Sequence, residues 1–287
     1  MNFQNINKII LELEQNGVIH LENVFKKDQI DIMQDIYNQS WNEIKLQCPT
    51  IWLSRKYKLH CTKYDNFIGS DLYNNKQTAY YKNTMTIDMQ KNRYDFTYNL
   101  DTLKDMIYLP KIIENIMQKL LICEYDYYYG GLPIENVINN DKDIQNTNAE
   151  DINTGDLNGF WHRDAYSLFN KEHIDLELPP FYYTILIPLQ YTDANNGGTE
   201  FILASHKINL SSKNINSNKK LLYWIDNEKP KRYAPTLNVG DICIFNGYTI
   251  HRGLYNQLSN NRNMLYIVFK KNWYNDEPTE NYIEQLN

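Results

Sequence analysis

The chain has 287 residues, 42% of them hydrophobic, and carries a formal charge of −6. That length and apolar content suffice to bury one large core, and the acidic balance excludes a protein whose main work is gripping phosphate backbones, which requires a surplus of Lys and Arg. The 24 tyrosines accompany abundant Asn, Lys and Ile throughout the chain, a bias that an AT-rich coding sequence produces everywhere, so they do not by themselves mark a stacking surface for bases or sugars.

No stretch approaches the run of about 20 apolar residues that a membrane span needs, and the opening MNFQNINKIILELEQ lacks the basic-then-apolar order of a secretory signal. The expectation is a soluble, cytoplasmic protein. Cys48, Cys61, Cys123 and Cys243 form no CxxC pair, so free thiols are expected and neither a zinc site nor a disulfide framework is indicated.

In chain order, Ile6 to Asn16 carries apolar residues at helical spacing and stops at Gly17. A short strand, Val18 to Leu21, follows. Lys27-Asp28-Gln29 opens a second helix to about Ile44, with Ile30, Met33, Ile36, Tyr37, Trp41 and Ile44 on one face. The rest of the first third reads as helical and mixed, with a third helix over Leu109 to Leu121. Beyond Leu121 the texture changes to short Tyr, Phe, Ile and Val runs separated by Gly, Asn, Asp and Pro, which predicts strands. They fall near 122–130, 158–163, 182–191, 198–203, 222–226, 241–246, 248–253 and 263–271. Eight strands after a helical preface predict a mostly β protein with flanking helices, built on a double-stranded β-helix (a cupin-like jelly-roll). The whole chain, 1–287, then forms one domain: helical support over 1–121, a jelly-roll core over 122–273 and a tail over 274–287. The polar segment 136–158 is expected to be a long loop, either an active-site lid or a passive insertion.

His162-Arg163-Asp164 is the most informative tripeptide. On a strand, residues i and i+2 project from the same face while the one between points away, so one imidazole and one carboxylate converge. A second imidazole from a distant strand completes the face of two histidines and one carboxylate that binds Fe(II) and leaves open positions. His251 is the candidate, because it follows the strand Asp241 to Phe245 and Asn246-Gly247, a dipeptide favouring a tight hairpin. Taken alone, an HxD tripeptide is more readily a surface pair. Context strengthens it: Arg262 stands eleven residues past His251, at the start of the apolar run Met264 to Phe269. A guanidinium there can hold a carboxylate through two parallel hydrogen bonds, and 2-oxoglutarate offers one at the end away from the metal. Of the other histidines, His206 reads as a turn residue, His173 as exposed loop, and His20 and His60 lie far from the barrel strands; none receives a catalytic role.

These segments resemble the phytanoyl-CoA dioxygenase superfamily of Fe(II)/2-oxoglutarate-dependent oxygenases over about Gly17 to Trp273. Gly17 to Phe25 is similar to the family's opening, Arg93-Tyr94-Asp95 to an Arg-x-Asp element of some branches, and Trp161 to Asp164 to the metal motif. Asn195 to Phe201 with Ser205-His206-Lys207 resembles the family's Asn-Gly turn, strand and Ser-His-Lys turn. Gly240-Asp241 through His251-Arg252-Gly253, Asn256 and Arg262 resembles the segment with the distal ligand and the co-substrate arginine. The resemblance implies a dioxygenase that consumes O2 and 2-oxoglutarate, releases succinate and CO2, and hydroxylates a second molecule. Desaturation, epoxidation and ring closure share that chemistry; a carboxylate at Asp164 is absent in related halogenases, so halogenation is disfavoured. Two departures stand out: Leu203-Ala204 replaces the usual Pro-Gly, and Gly253 replaces a serine that helps hold the co-substrate in some members, for which Thr184 and Thr199 are candidate substitutes. Phe160, Trp161, Tyr166 and Phe169 are candidates to line a pocket for a small or medium organic molecule. A protein hydroxylase of the same mechanism and an inactive jelly-roll binding protein remain alternatives.

Overall fold

Strands with alternate residues committed to two different buried faces organise this protein. The computed structural model describes residues 3–47, 67–71, 77–81, 85–89, 95–97, 99–122, 124–134, 158–159, 161–165, 179–208, 219–258 and 260–274. Helix α1 (Phe3–Asn16) buries Ile6, Ile9 and Leu13 at helical spacing. It ends where Gly17, at φ +79°, closes its N–H on the Leu13 carbonyl at 2.7 Å. Strand β1 (Val18–Leu21) and helix α2 (Lys27–Gln47) follow, and α2 buries Ile30, Met33, Tyr37, Trp41 and Ile44 along one side.

A three-stranded antiparallel sheet then appears that the sequence reading did not name: β2 (Phe67–Asp71), β3 (Gln77–Tyr81) and β4 (Met85–Met89). Its segments are five residues each, too short for periodicity to separate them from turns. After the helical turn α3 (Leu103–Met106), helix α4 (Lys111–Leu121) starts behind Pro110 and stops at Ile122, whose φ of 62° is left-handed. That stop delays β5 to Tyr125–Gly131, three residues beyond the expected start.

The remaining elements are β6 (Tyr182–Pro188), β7 (Thr199–Ile202), α5 (Lys219–Asn227), β8 (Arg232–Tyr233), β9 (Ile242–Asn246), β10 (His251–Gly253) and β11 (Met264–Lys271). The strand expected at 222–226 is a helix instead: a run such as Leu-Leu-Tyr-Trp-Ile does not separate the two states, and in α5 Ile225 is buried while Tyr223 is exposed. The strand expected at 158–163 reduces, among the described residues, to one bridge between His162 and His251.

One sheet has the order β1-β9-β6-β11-β5 and a second the order β10-β7-β8, all pairs antiparallel. Within the five-stranded sheet, Ile19, Ile242, Ile244, Tyr183, Ile185, Ile187, Leu265, Ile267 and Phe269 pack against the helices. The residues between them, Val18, Cys243, Phe245, Tyr182, Leu186, Met264, Tyr266 and Val268, pack towards Phe201 and Leu237 on the side of the smaller sheet. Every position of β6 is buried, because one face meets the helices and the other meets the second sheet. Apolar surface is therefore removed from water on both faces of this sheet, stabilising it by about 25 cal/mol per Å² buried. Cys243 is a free, buried thiol; the other three cysteines lie outside the described residues.

Asn246-Gly247 makes a turn, but not the expected hairpin. The Asn246 side-chain oxygen accepts the Tyr248 N–H at 2.9 Å and its carbonyl accepts the Thr249 N–H at 2.8 Å. The chain then leaves the large sheet, and β10 pairs with β7 in the small one. Gly247 is required for space: a Cβ there would stand 2.6 Å from the Tyr182 ring and 3.0 Å from the Ala165 methyl.

Candidate functional site

The site forms where the chain crosses between the two sheets. His162 and His251 exchange both backbone hydrogen bonds, at 2.9 and 3.0 Å, and the Asp164 N–H reaches the Gly247 carbonyl at 3.0 Å. This pairing pins the 161–165 segment to the start of β10, so three residues far apart in sequence share one face. One donor atom from each of His162, Asp164 and His251 lies within 4.8 Å of the others. Asp164 Oδ1 faces both imidazoles, 3.3 Å from His251 Nε2 and 3.8 Å from His162 Nε2.

Arg163 points the other way, as strand alternation requires. Its guanidinium donates to the carbonyls of Ser205 at 2.9 Å and Ile208 at 2.7 Å, tying the segment to the turn Ser205–Lys207. Burial lowers its pKa to about 10, so it stays charged at neutral pH.

Each ligand candidate is held from behind. His251 Nδ1 lies 2.9 Å from the Thr249 carbonyl, so its Nδ1–H points there and Nε2 faces Asp164. Thr249 is itself anchored, its hydroxyl donating to the Gly17 carbonyl at 2.8 Å. The rings of Phe245 and Phe201, 4.7 and 5.7 Å from the His251 ring, wall that side off from water. His251 is 6% exposed, whereas the His162 and Asp164 side chains are 34% and 21% exposed, so the site opens on their side. The second Asp164 oxygen accepts the Thr184 hydroxyl at 2.8 Å. Burial pushes the Asp164 carboxyl up, but His251, His162 and the Thr184 hydroxyl outweigh it and hold its pKa well below the usual carboxylate range. Asp164 is therefore an anion throughout the neutral range. Two imidazole nitrogens and a carboxylate oxygen, oriented and converging, suit a first-row divalent metal, iron among them.

Arg262 is buried at the entry to β11 and continues the inward alternation of Met264, Tyr266 and Val268. Its Nε and Nη2 donate to the Gly197 carbonyl at 3.1 and 2.8 Å and its Nη1 to Leu132 at 2.9 Å. One hydrogen on each terminal nitrogen is left over from these bonds, the fork that suits a carboxylate. Burial lowers its pKa to about 10, which leaves it charged at neutral pH. The turn that receives it is built by Asp193, whose side chain caps the Asn195 and Asn196 N–H groups, and by Gly197 at φ +88°.

Thr199 stands directly opposite Gly253 across the β7–β10 ladder. Trp161 does not share the face of His162 and Asp164; it packs with Ile202, Ile225 and Ile250, with the Arg252 and Arg232 guanidinium groups 4.3 and 5.3 Å from its ring. His206 caps the end of α1 through the Glu14 carbonyl at 3.0 Å, and His20 pairs with Asp241 at 3.2 Å. Asp95 accepts the Tyr266 hydroxyl at 2.8 Å. Phe160, Tyr166, Phe169, His60, His173, Arg93 and Tyr94 lie outside the described residues, as does the 136–158 loop apart from Asn158. Sequence reasoning missed Thr249 and Gly17 as supports of His251, since neither carries a local signal. The one threonine among the aromatic and aliphatic residues of β6 was the signal for Thr184.

The family model described as phytanoyl-CoA dioxygenase matches residues 13–264. No curated protein matches the sequence. Among solved structures, the non-heme alpha ketoglutarate dependent carbocyclase SnoK from nogalamycin biosynthesis superposes with a TM-score of 0.60 at 12% identity, covering 98% of this chain and 90% of its own. The epimerase SnoN, in complex with Fe3+, alpha ketoglutarate and nogalamycin RO, gives 0.58 at 10% identity, covering 94% and 85%. HygX from Streptomyces hygroscopicus, with nickel, 2-oxoglutarate and hygromycin B bound, gives 0.53 at 10% identity, covering 96% and 90%. At these identities the likeness is one of fold.

Proposed function

The chain belongs to the phytanoyl-CoA dioxygenase family, and from that premise we propose that His162, Asp164 and His251 hold its iron, that Arg262 anchors 2-oxoglutarate, and that the substrate is a small or medium organic molecule. It is a non-haem Fe(II)- and 2-oxoglutarate-dependent oxygenase. The single observation that carries the site assignment is the convergence of the three donor atoms within 4.8 Å on a face whose middle residue, Arg163, points away. When bound, iron and 2-oxoglutarate supply the oxidising power, with O2 consumed and succinate and CO2 released.

The chain's own residues bind, orient and exclude water. Thr249 turns His251 so that Nε2 faces the site, and Phe245 and Phe201 keep that side dry. Arg262 offers its two remaining N–H groups to the distal carboxylate of the co-substrate. Thr199, paired with Gly253, supplies a hydroxyl across the ladder from the position at which some members carry a serine. The sheets β1-β9-β6-β11-β5 and β10-β7-β8 are read as a double-stranded β-helix, supported over 1–121 by the helices α1 to α4 together with the separate sheet β2-β3-β4. A single domain over 1–287 is supported by one cluster of buried residues running from α1, α2 and α4 into the large sheet. Nogalamycin RO in SnoN and hygromycin B in HygX are of the substrate size inferred here.

Anaerobic loading with Fe(II) followed by 2-oxoglutarate tests the reading. The expected result is the weak visible metal-to-ligand charge-transfer band of the chelate, and its lack would refute the assignment.

A further inference from the structure

We infer that Thr184 is a positioning residue that holds Asp164 to one-oxygen coordination of the metal. The inference rests on the metal reading above and replaces the direct co-substrate contact that the sequence suggested for Thr184. The two Asp164 oxygens have different surroundings. Oδ1 faces His251 Nε2 and His162 Nε2, at 3.3 and 3.8 Å, while Oδ2 is turned to the Thr184 hydroxyl at 2.8 Å. A carboxylate binding through both oxygens would fill two positions of an octahedral metal. With two histidines, that leaves only the pair a chelating 2-oxo acid occupies and none for O2. Binding through Oδ1 alone leaves three. The hydroxyl on Oδ2 separates these cases, because an oxygen committed to a short hydrogen bond is a poor second ligand.

The surroundings of Thr184 support this role. It lies in the middle of β6, 3% exposed, opposite Phe245 on β9 and Val268 on β11. A hydroxyl buried between two apolar residues is costly unless bonded, and among the described residues its bond is to Asp164. The β-branched side chain restricts χ1, so the hydroxyl is held in place by the strand itself. A valine would fill the same volume without the donor.

The test compares wild type, Thr184→Val and Thr184→Ser, each loaded with Co(II) without 2-oxoglutarate and read by visible ligand-field absorption, then titrated with 2-oxoglutarate. For Thr184→Val we expect a changed cobalt spectrum before 2-oxoglutarate is added, and an affinity for 2-oxoglutarate reduced on the order of 10- to 100-fold. Thr184→Ser restores both. A valine variant with the wild-type cobalt spectrum and only weakened 2-oxoglutarate binding would overturn the inference and make Thr184 a direct co-substrate contact. A serine variant that behaves like the valine variant would overturn it too. Wild type that takes up no Co(II) would instead overturn the metal site itself, and thermal melts of all three proteins separate these outcomes from misfolding.

Discussion

Replacing Gly17 by Ala should damage the proposed metal site, although Gly17 is 234 positions from His251 in the chain. The backbone at Gly17 has φ +79°, a region that costs an L-residue roughly 1–2 kcal/mol. The new methyl would stand 2.5 Å from His206 Nδ1 and 2.6 Å from Thr249 Oγ1, so both side chains must move. Moving Thr249 breaks its bond to the Gly17 carbonyl, and moving His206 breaks its bond to Glu14; each is worth about 1 kcal/mol. The combined loss is about 3–4 kcal/mol, roughly a 10 °C fall in Tm for a domain of this size. The Thr249 carbonyl also holds His251 Nδ1 at 2.9 Å, so its displacement rotates the ligand and should weaken metal binding on the order of 10-fold. Thermal denaturation by circular dichroism and Co(II) titration measure the two effects. In a Thr249→Ala background the added cost of Gly17→Ala should shrink, because one of the two clashing atoms is gone. A Gly17→Ala protein that melts within about 1 °C of wild type and binds Co(II) equally well would refute the reasoning.

Two further outcomes follow from the buried charges. Arg262→Lys replaces a planar fork by a point charge and cannot satisfy both the Gly197 and Leu132 carbonyls. The affinity for 2-oxoglutarate should fall on the order of 10- to 100-fold, about 1.4 kcal/mol per factor of ten, with much less effect on iron; equal losses of both would contradict the assigned role. Asp241 is buried, yet the N–H groups of Asn23 and Asn238 and the nearby His20 hold its pKa below the ordinary 3.8. A depressed folded-state value means stability that is present above the unfolded pKa and lost as pH falls below it. Asp241→Asn should therefore lose about 1–3 kcal/mol near neutral pH and show a flatter decline in acid. Denaturant melts from pH 7 to pH 3 check this, and parallel profiles for the two proteins would disprove it.

Residue spacing was enough to put two of the three candidate ligands on one face. Strand alternation placed His162 and Asp164 together with Arg163 opposed, because a period of two is a property of the extended backbone and needs no tertiary partner. The apolar periodicity of α1 and α2 and the buried runs of β6, β9 and β11 were legible for the same reason. The segment 222–226 was misread as a strand, since a short, largely apolar run fits either state until packing selects one.

Tertiary structure decided the features that depend on distant partners. Asn246-Gly247 marked a turn, but only the pairing of β10 with β7 showed that it crosses between sheets. Thr184 offered a hydroxyl on an apolar strand, and its partner became visible only when Asp164 was brought against β6. Gly17 and Thr249 support His251 through a carbonyl and a hydroxyl whose sequence neighbours say nothing of that contact. Local spacing determines which face a side chain takes, whereas the atom it meets on that face is set by how the strands of two sheets pair and stack.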